Sequence, residues 1–186
     1  VMLNGSATVD DADNTATNGV VHIVDEVIGL PTIATFATSN PALSVLVDAL
    51  AYADTGSPTV PYINTVSDAE AGPFTVFAPV NDAFTGPNGV LAELNLSGFG
   101  EGTGELNAAT TDAVLLMHIV SGNIQSSGLP NGAVATLGGE ITADNSAFTL
   151  TDANGRVSNI VTTLVNIQGM NGVVHVIDKV ILTPPQ

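Results

Sequence analysis

Two apolar, β-branched runs stand near opposite ends of the chain, at residues 20–28 and 173–182, and both read as strands. Each opens on an Asn-Gly pair, which favours a tight turn, and each runs out near proline: Pro31 in the first, Pro184 and Pro185 in the second. Between them the spacing is helical first. Asn40 and Pro41 supply an N-cap and a first-turn proline, and Leu43, Leu46, Val47 and Leu50 follow on one helical face. Residues 55–72 read as a loop with room for one helical turn around Tyr62. FTVFA at 74–78 is a strand by composition. Val90, Leu91 and Leu94 suggest a short helix, and GFGEGTG at 98–104 a flexible surface loop. Ala109, Ala113, Leu116 and Val120 recur at i, i+4, i+7 and i+11, which predicts a helix over about 107–118. After Gly122 the pattern turns to strands at 133–137, 140–143, 148–151, 157–167 and 173–182. Helices early and strands late predict an α+β domain.

The two end runs are copies of one another. NGVVHIVDEVI at 18–28 and NGVVHVIDKVI at 171–181 lie 153 residues apart and share eight of eleven residues. Residues 1–31 therefore read as the tail strands of a preceding or partner unit, and residues 32–184 as a complete domain closed by its own copy. A strand with apolar side chains and open backbone groups cannot stand alone in water. The tail should complete another copy, swap with its twin or cover an exposed edge, with Val21 and Ile23 as contacts for self-association.

Charge then removes whole classes of partner. There are 18 acidic and 2 basic side chains, a net charge of −16, so Arg156 and Lys179 alone cannot supply the phosphate contacts of nucleic-acid binding. Anionic lipid is excluded for the same reason, and no apolar run approaches the roughly 18 to 20 residues of a bilayer span, so membrane insertion is not expected. The chain has no cysteine, which removes disulfides, thiol catalysis and thiolate zinc sites. Only 11% of residues are charged, and Thr, Ser, Asn and Gly fill the polar quota, a surface more usual on extracellular and cell-surface domains. The first residues carry no signal peptide, so the chain reads as processed or as a fragment.

Three blocks carry a family resemblance: FTVFAPVNDAF at 74–84, LLMHIVSG at 115–122 and NGVVHVIDKVIL at 171–182. In order and spacing they resemble the signature boxes of the fasciclin-like (FAS1) adhesion domain. The resemblance covers residues 32–182, and 1–31 resembles the tail of a preceding repeat. It implies a wedge-shaped β-sandwich flanked by several α-helices, and a role in adhesion, matrix or surface attachment. Where the family's middle box usually reads Tyr-His, a pair implicated in integrin binding by some animal members, this chain has Met117 and His118. The usual Thr after Pro in the first box is Val80, while Asn81, Ala83 and Phe84 match; Asn81 and Asp82 join Met117 and His118 as candidate partner contacts.

The remaining chemistry is sparse. His22 and His175 occupy equivalent strand positions and read as packed, hydrogen-bonded rings, and His118 as a helix-end residue bonded to terminal carbonyls. Asp10, Asp11 and Asp13 offer oxygen ligands for a calcium cofactor, and Asp152 with Asn154 and Gly155 a second set; neither fits an EF-hand, and a solvated turn explains both. Asp82 should favour a helix N-terminus. Asn4-Gly5-Ser6 and Asn95-Leu96-Ser97 match the N-glycosylation pattern. No nucleophile elbow, phosphate-binding loop or metal-ligand string is present, which argues against catalysis; with that, the family resemblance implies a non-enzymatic extracellular adhesion or surface-attachment module that binds a protein or polysaccharide. A structural repeat of a filament or stalk is the alternative. A buried polar pocket near His118 would instead favour an enzyme or carrier.

Overall fold

The computed structural model describes residues 2–3 and 7–184, so the Asn4-Gly5-Ser6 pattern lies outside the described residues. Its first helix, α1 (Ile33–Ser39), is not expected from apolar spacing. It forms behind a capping box in which the Thr35 N–H donates to Thr32 Oγ1 at 3.2 Å and the Thr32 N–H to Thr35 Oγ1 at 3.3 Å. Asn40 then caps a single 3-10 turn, Pro41–Leu43, that leads into α2 (Ser44–Asp54). Leu43, Leu46 and Leu50 are buried, as the spacing requires, with Ala49 beside them, while Val47 is half-buried. The turn around Tyr62 is helix α3 (Tyr62–Ser67), held to α2 by the Tyr62 N–H on Asp54 at 2.8 Å. Strand β4 (Phe74–Pro79) follows, then the short helices α4 (Asn81–Thr85) and α5 (Val90–Glu93).

Asn107 caps α6 (Ala108–Leu116) through the Thr110 N–H at 2.8 Å. The helix buries Ala108, Thr111, Val114, Leu115 and Leu116; of the face expected, Leu116 is buried but Ala113 is half-buried and Ala109 exposed, and the helix stops before Val120, which is buried in β5 (Ile119–Ser121). Alanine and valine on several sides of this helix make its buried face ambiguous from spacing alone. The later strands are β6 (Gly132–Ala135), β7 (Glu140–Asp144), β8 (Thr149–Thr151), β9 (Val157–Asn159), β10 (Ile167–Gly169) and β11 (Gly172–Ile177). The single strand expected over 157–167 is thus two strands, separated by a turn and by Asn166 at a left-handed φ of 59°.

One sheet has the order β10-β11-β4-β5, with β11 and β4 parallel; the other is the antiparallel meander β6-β7-β8-β9. Alternation along the central strands sorts the core into two layers. Val76, Ala78, Val174 and Val176 pack with Leu43, Leu46 and Leu115 of the helical side, while Phe77 and Ile177 pack with Met117, Ile141, Leu150 and Ile181 of the meander side. With both faces covered, β11 is buried along its whole length. Its first residue must be glycine: a Cβ at Gly172, whose φ is +150°, would strike the Phe74 carbonyl. The result is the α+β sandwich flanked by helices that the resemblance implies.

At the N-terminus, β1 (Met2–Leu3), β2 (Ala7–Ala16) and β3 (Gly19–Val24) form a separate antiparallel sheet in that order. Among the described residues no strand pairs with the far edge of β3.

Candidate functional site

The middle block is buried from Leu115 to Val120. Met117 and His118 are 0% and 2% exposed, because the chain turns there from α6 into β5 between the two core layers, and neither offers a surface to a partner. His118 Nδ1 donates to the Val114 carbonyl at 2.8 Å, and Nε2 accepts the Ile181 N–H at 2.9 Å. The Ile181 bond requires an unprotonated Nε2 and hence the neutral ring, and burial lowers its pKa to about 4. The expected bond to a helix-end carbonyl is present, on an uncharged ring. His175 Nε2 donates to the Ile124 carbonyl at 2.9 Å, Nδ1 accepts the Asn166 N–H at 3.3 Å, and the ring stacks on Phe77. Burial lowers its pKa too.

Asn81 is a helix fastener. Its Oδ1 accepts the Val45 N–H at 3.0 Å and its Nδ2 donates to the Pro41 carbonyl at 2.9 Å, so it caps α2 from another element. Asp82 stands exposed in the first turn of α4, as the dipole argument expects. Val80 takes the N-cap of α4 without a side-chain bond.

Asp152 has a role that sequence reasoning missed. It is 6% exposed; Oδ1 accepts the N–H groups of Asn154 (2.9 Å) and Arg156 (3.0 Å), and Oδ2 accepts that of Leu182 at 3.0 Å. The turn was visible in the Asp-x-Asn-Gly pattern, but the bond across 30 residues was not. Arg156 completes the fastening by donating to the Val180 carbonyl at 2.8 Å and pairing with Glu93. This carboxylate is occupied by backbone donors. Asp10, Asp11 and Asp13 lie exposed on β2, and no three metal-ligating side chains converge among the described residues, the three histidines included.

The loop 98–104 is anchored. Phe99 packs near Tyr52 and Phe84, and the Tyr52 hydroxyl donates to Glu101 Oε1 at 2.7 Å while the Ala108 N–H reaches the same oxygen at 3.0 Å. That bond lowers the Glu101 pKa and pushes Tyr52 up to about 12. Behind the loop lies an open pocket of about 260 Å³ lined by Phe84, Val90, Leu94, Phe99, Leu106 and Val114, with Thr110, Asn154 and Thr183 as polar neighbours. Among the described residues no acid, base or cation lines it. The space beside His118 is only about 20 Å³ and otherwise apolar, unlike the polar pocket an enzyme would need.

On the N-terminal sheet, Val20, Val21 and Ile23 are 54%, 55% and 51% exposed, and Val27 and Leu30 are exposed as well. Val21 and Ile23 are thus the only two of the expected partner contacts that are apolar and accessible.

Known proteins agree with this architecture. The Fasciclin domain profile matches residues 42–184. Protein sll1483 of Synechocystis sp. is 36% identical over 154 residues, 82% of this chain and 74% of that one. Immunogenic protein MPB70 and cell surface glycolipoprotein MPB83 of Mycobacterium bovis are each 26% identical; the aligned parts cover 82% and 83% of this chain, and 69% and 61% of theirs. A FAS1 domain pair from the insect cell adhesion molecule Fasciclin I shares the fold with a TM-score of 0.62 at 19% identity, over 97% of this chain and 61% of that one. With the three boxes in their places in the core and a family profile spanning most of its length, the chain belongs to the Fasciclin domain family.

Proposed function

We propose that the chain is an extracellular adhesion or surface-attachment module that binds a protein or polysaccharide without catalysing a reaction. The carrying observation is how the reactive side chains are spent. His118, His175 and Asp152 are tied to backbone groups of the core, and the 260 Å³ pocket is lined by no acid–base group. Relatives named for the cell surface and for cell adhesion support the location. Contact falls to the loop-bearing face around residues 94–104, where Leu94 is 44% exposed at the pocket mouth.

The test is retention of cells and of surface polysaccharides on the immobilised chain, beside Leu94→Asp. Loss of retention in the variant is expected. Hydrolysis of an ester, glycoside or phosphate by the purified chain, abolished by a single substitution, would overturn the reading. A second reading, a structural repeat or protomer of a stalk or filament, is favoured by the uncovered apolar strand β3.

A further inference from the structure

The N-terminal hairpin repeats the closing hairpin of the domain in geometry as well as in sequence. Ala16 faces Gly19 across its turn as Gly169 faces Gly172. Asp13, at φ 62°, gives its N–H to His22 Nδ1 at 3.0 Å, as Asn166, at φ 59°, gives its own to His175 Nδ1. The Asp25 carboxylate accepts the Thr8 N–H at 2.7 Å and the Asp25 N–H returns to the Thr8 carbonyl at 3.1 Å; Asp178 and Asn159 make the same clasp at the same two distances. Val9 opposite Val24 matches Ile160 opposite Ile177.

What differs is everything that should lie on the other side. Val173, Val174 and Val176 are 0–2% exposed because β4 and the helices cover them; their counterparts Val20, Val21 and Ile23 are half exposed. Asn171 bonds the Ile33 N–H and the Val66 carbonyl, and His175 bonds Ile124 and stacks on Phe77. Nothing lies within 4 Å of where a Cβ at Gly19 would stand, although its twin Gly172 is glycine because β4 runs against it. Gly19 is shaped for a neighbour of that kind.

We infer that residues 7–28 are the closing hairpin of a second fasciclin unit, and that the edge of β3 takes the first-box strand of that unit's body, running parallel to it as β4 runs to β11. The body is supplied by the same polypeptide on the N-terminal side. A second copy of this chain is the poorer occupant: its slot already holds residues 171–181, so each hairpin inserted would expel another and no apolar surface would be gained. The inference deepens the stalk reading, rests on it for the source of the body, and is independent of the adhesion reading.

Matching Thr8 to Asn159 fixes the splice. Residues 32–157 fused ahead of Ala7 of this chain should fold as a second unit, resistant to limited proteolysis, and the β3 amides should exchange at least about a hundredfold more slowly than in the unfused chain. Val21→Asp with Ile23→Asp should unfold the added unit alone and leave the melting of the unfused chain unchanged. Digestion of the added segment while 32–184 survives, or unaltered β3 exchange, overturns the inference. Val176→Ile, Ile177→Val and Lys179→Glu together write the N-terminal copy into β11 without a splice; near-parental melting is expected, and failure to fold overturns interchangeability. Sedimentation of the unfused chain should give a monomer, and a dimer dissolved by the Val21 and Ile23 changes would hand the edge to a second copy instead. None of these failures touches the retention assay.

Discussion

Acidification should weaken this domain through one buried ring. Buried His118 donates from Nδ1 to Val114 and accepts the Ile181 N–H at Nε2, the second a bond only the neutral imidazole can make, and burial holds its pKa in the folded protein at about 4 against 6.5 when free. Protonation therefore favours the unfolded chain. The contribution is complete above about pH 6.5 and is lost as pH falls through the window down to about 4. Linkage gives about 2 kcal/mol lost between pH 7.5 and 5, and about 3 kcal/mol in all, a large share of a typical stability of 5–15 kcal/mol. His175, whose pKa burial also lowers, acts with the same sign. The net charge of −16 acts oppositely, because self-repulsion relaxes as carboxylates protonate. Urea unfolding of the parent and of His118→Gln separates the two effects, since the variant keeps the charge but cannot titrate at that position. His118→Gln should be less stable by about 1–3 kcal/mol at neutral pH, and the gap should narrow by about 2 kcal/mol at pH 5. A gap constant across that range would refute the neutral buried ring.

Asp152→Ala strands three backbone donors and should cost about 3 kcal/mol, read as a lowered urea midpoint. Asn81→Ala removes the cap of α2 supplied from the first box and should cost about 1–2 kcal/mol in the same assay, whereas Asp82→Asn should cost well under about 1 kcal/mol. Calcium and chelator should leave the melting temperature unchanged, because Asp10, Asp11 and Asp13 lie along an exposed strand without forming a converging ligand group; a rise with millimolar calcium would reverse that assignment.

The blocks legible in the sequence are those where local pattern and burial coincide. Phe74–Pro79 and Gly172–Ile177 are apolar runs broken only by Thr75 and His175 because both their faces are covered, and Leu46 and Leu50 keep one face of α2 inward. Helix α1 was hidden because two threonines start it, where apolar spacing carries no signal. The run LLMHIV is apolar but for His118 and buried from helix end to strand start, so periodicity could not mark where α6 yields to β5. That same burial removes Met117 and His118 from the surface that the family's middle box suggested. The Asp152–Leu182 bond was invisible because it joins residues far apart in sequence through a backbone group, which no side-chain pattern records.

The placement of β11 also dictates when the domain can close during synthesis. It sits inside its sheet, between β10 and β4, and its parallel partner β4 is made roughly a hundred residues earlier. Until residues 172–177 leave the ribosome, β4 has one open edge and Val76 and Ala78 lack the valines that complete their layer. Such long-range pairing delays folding and leaves the nascent body exposed to association or to chaperones. In a string of such units, each would become self-sufficient only as the first residues of the next were being made.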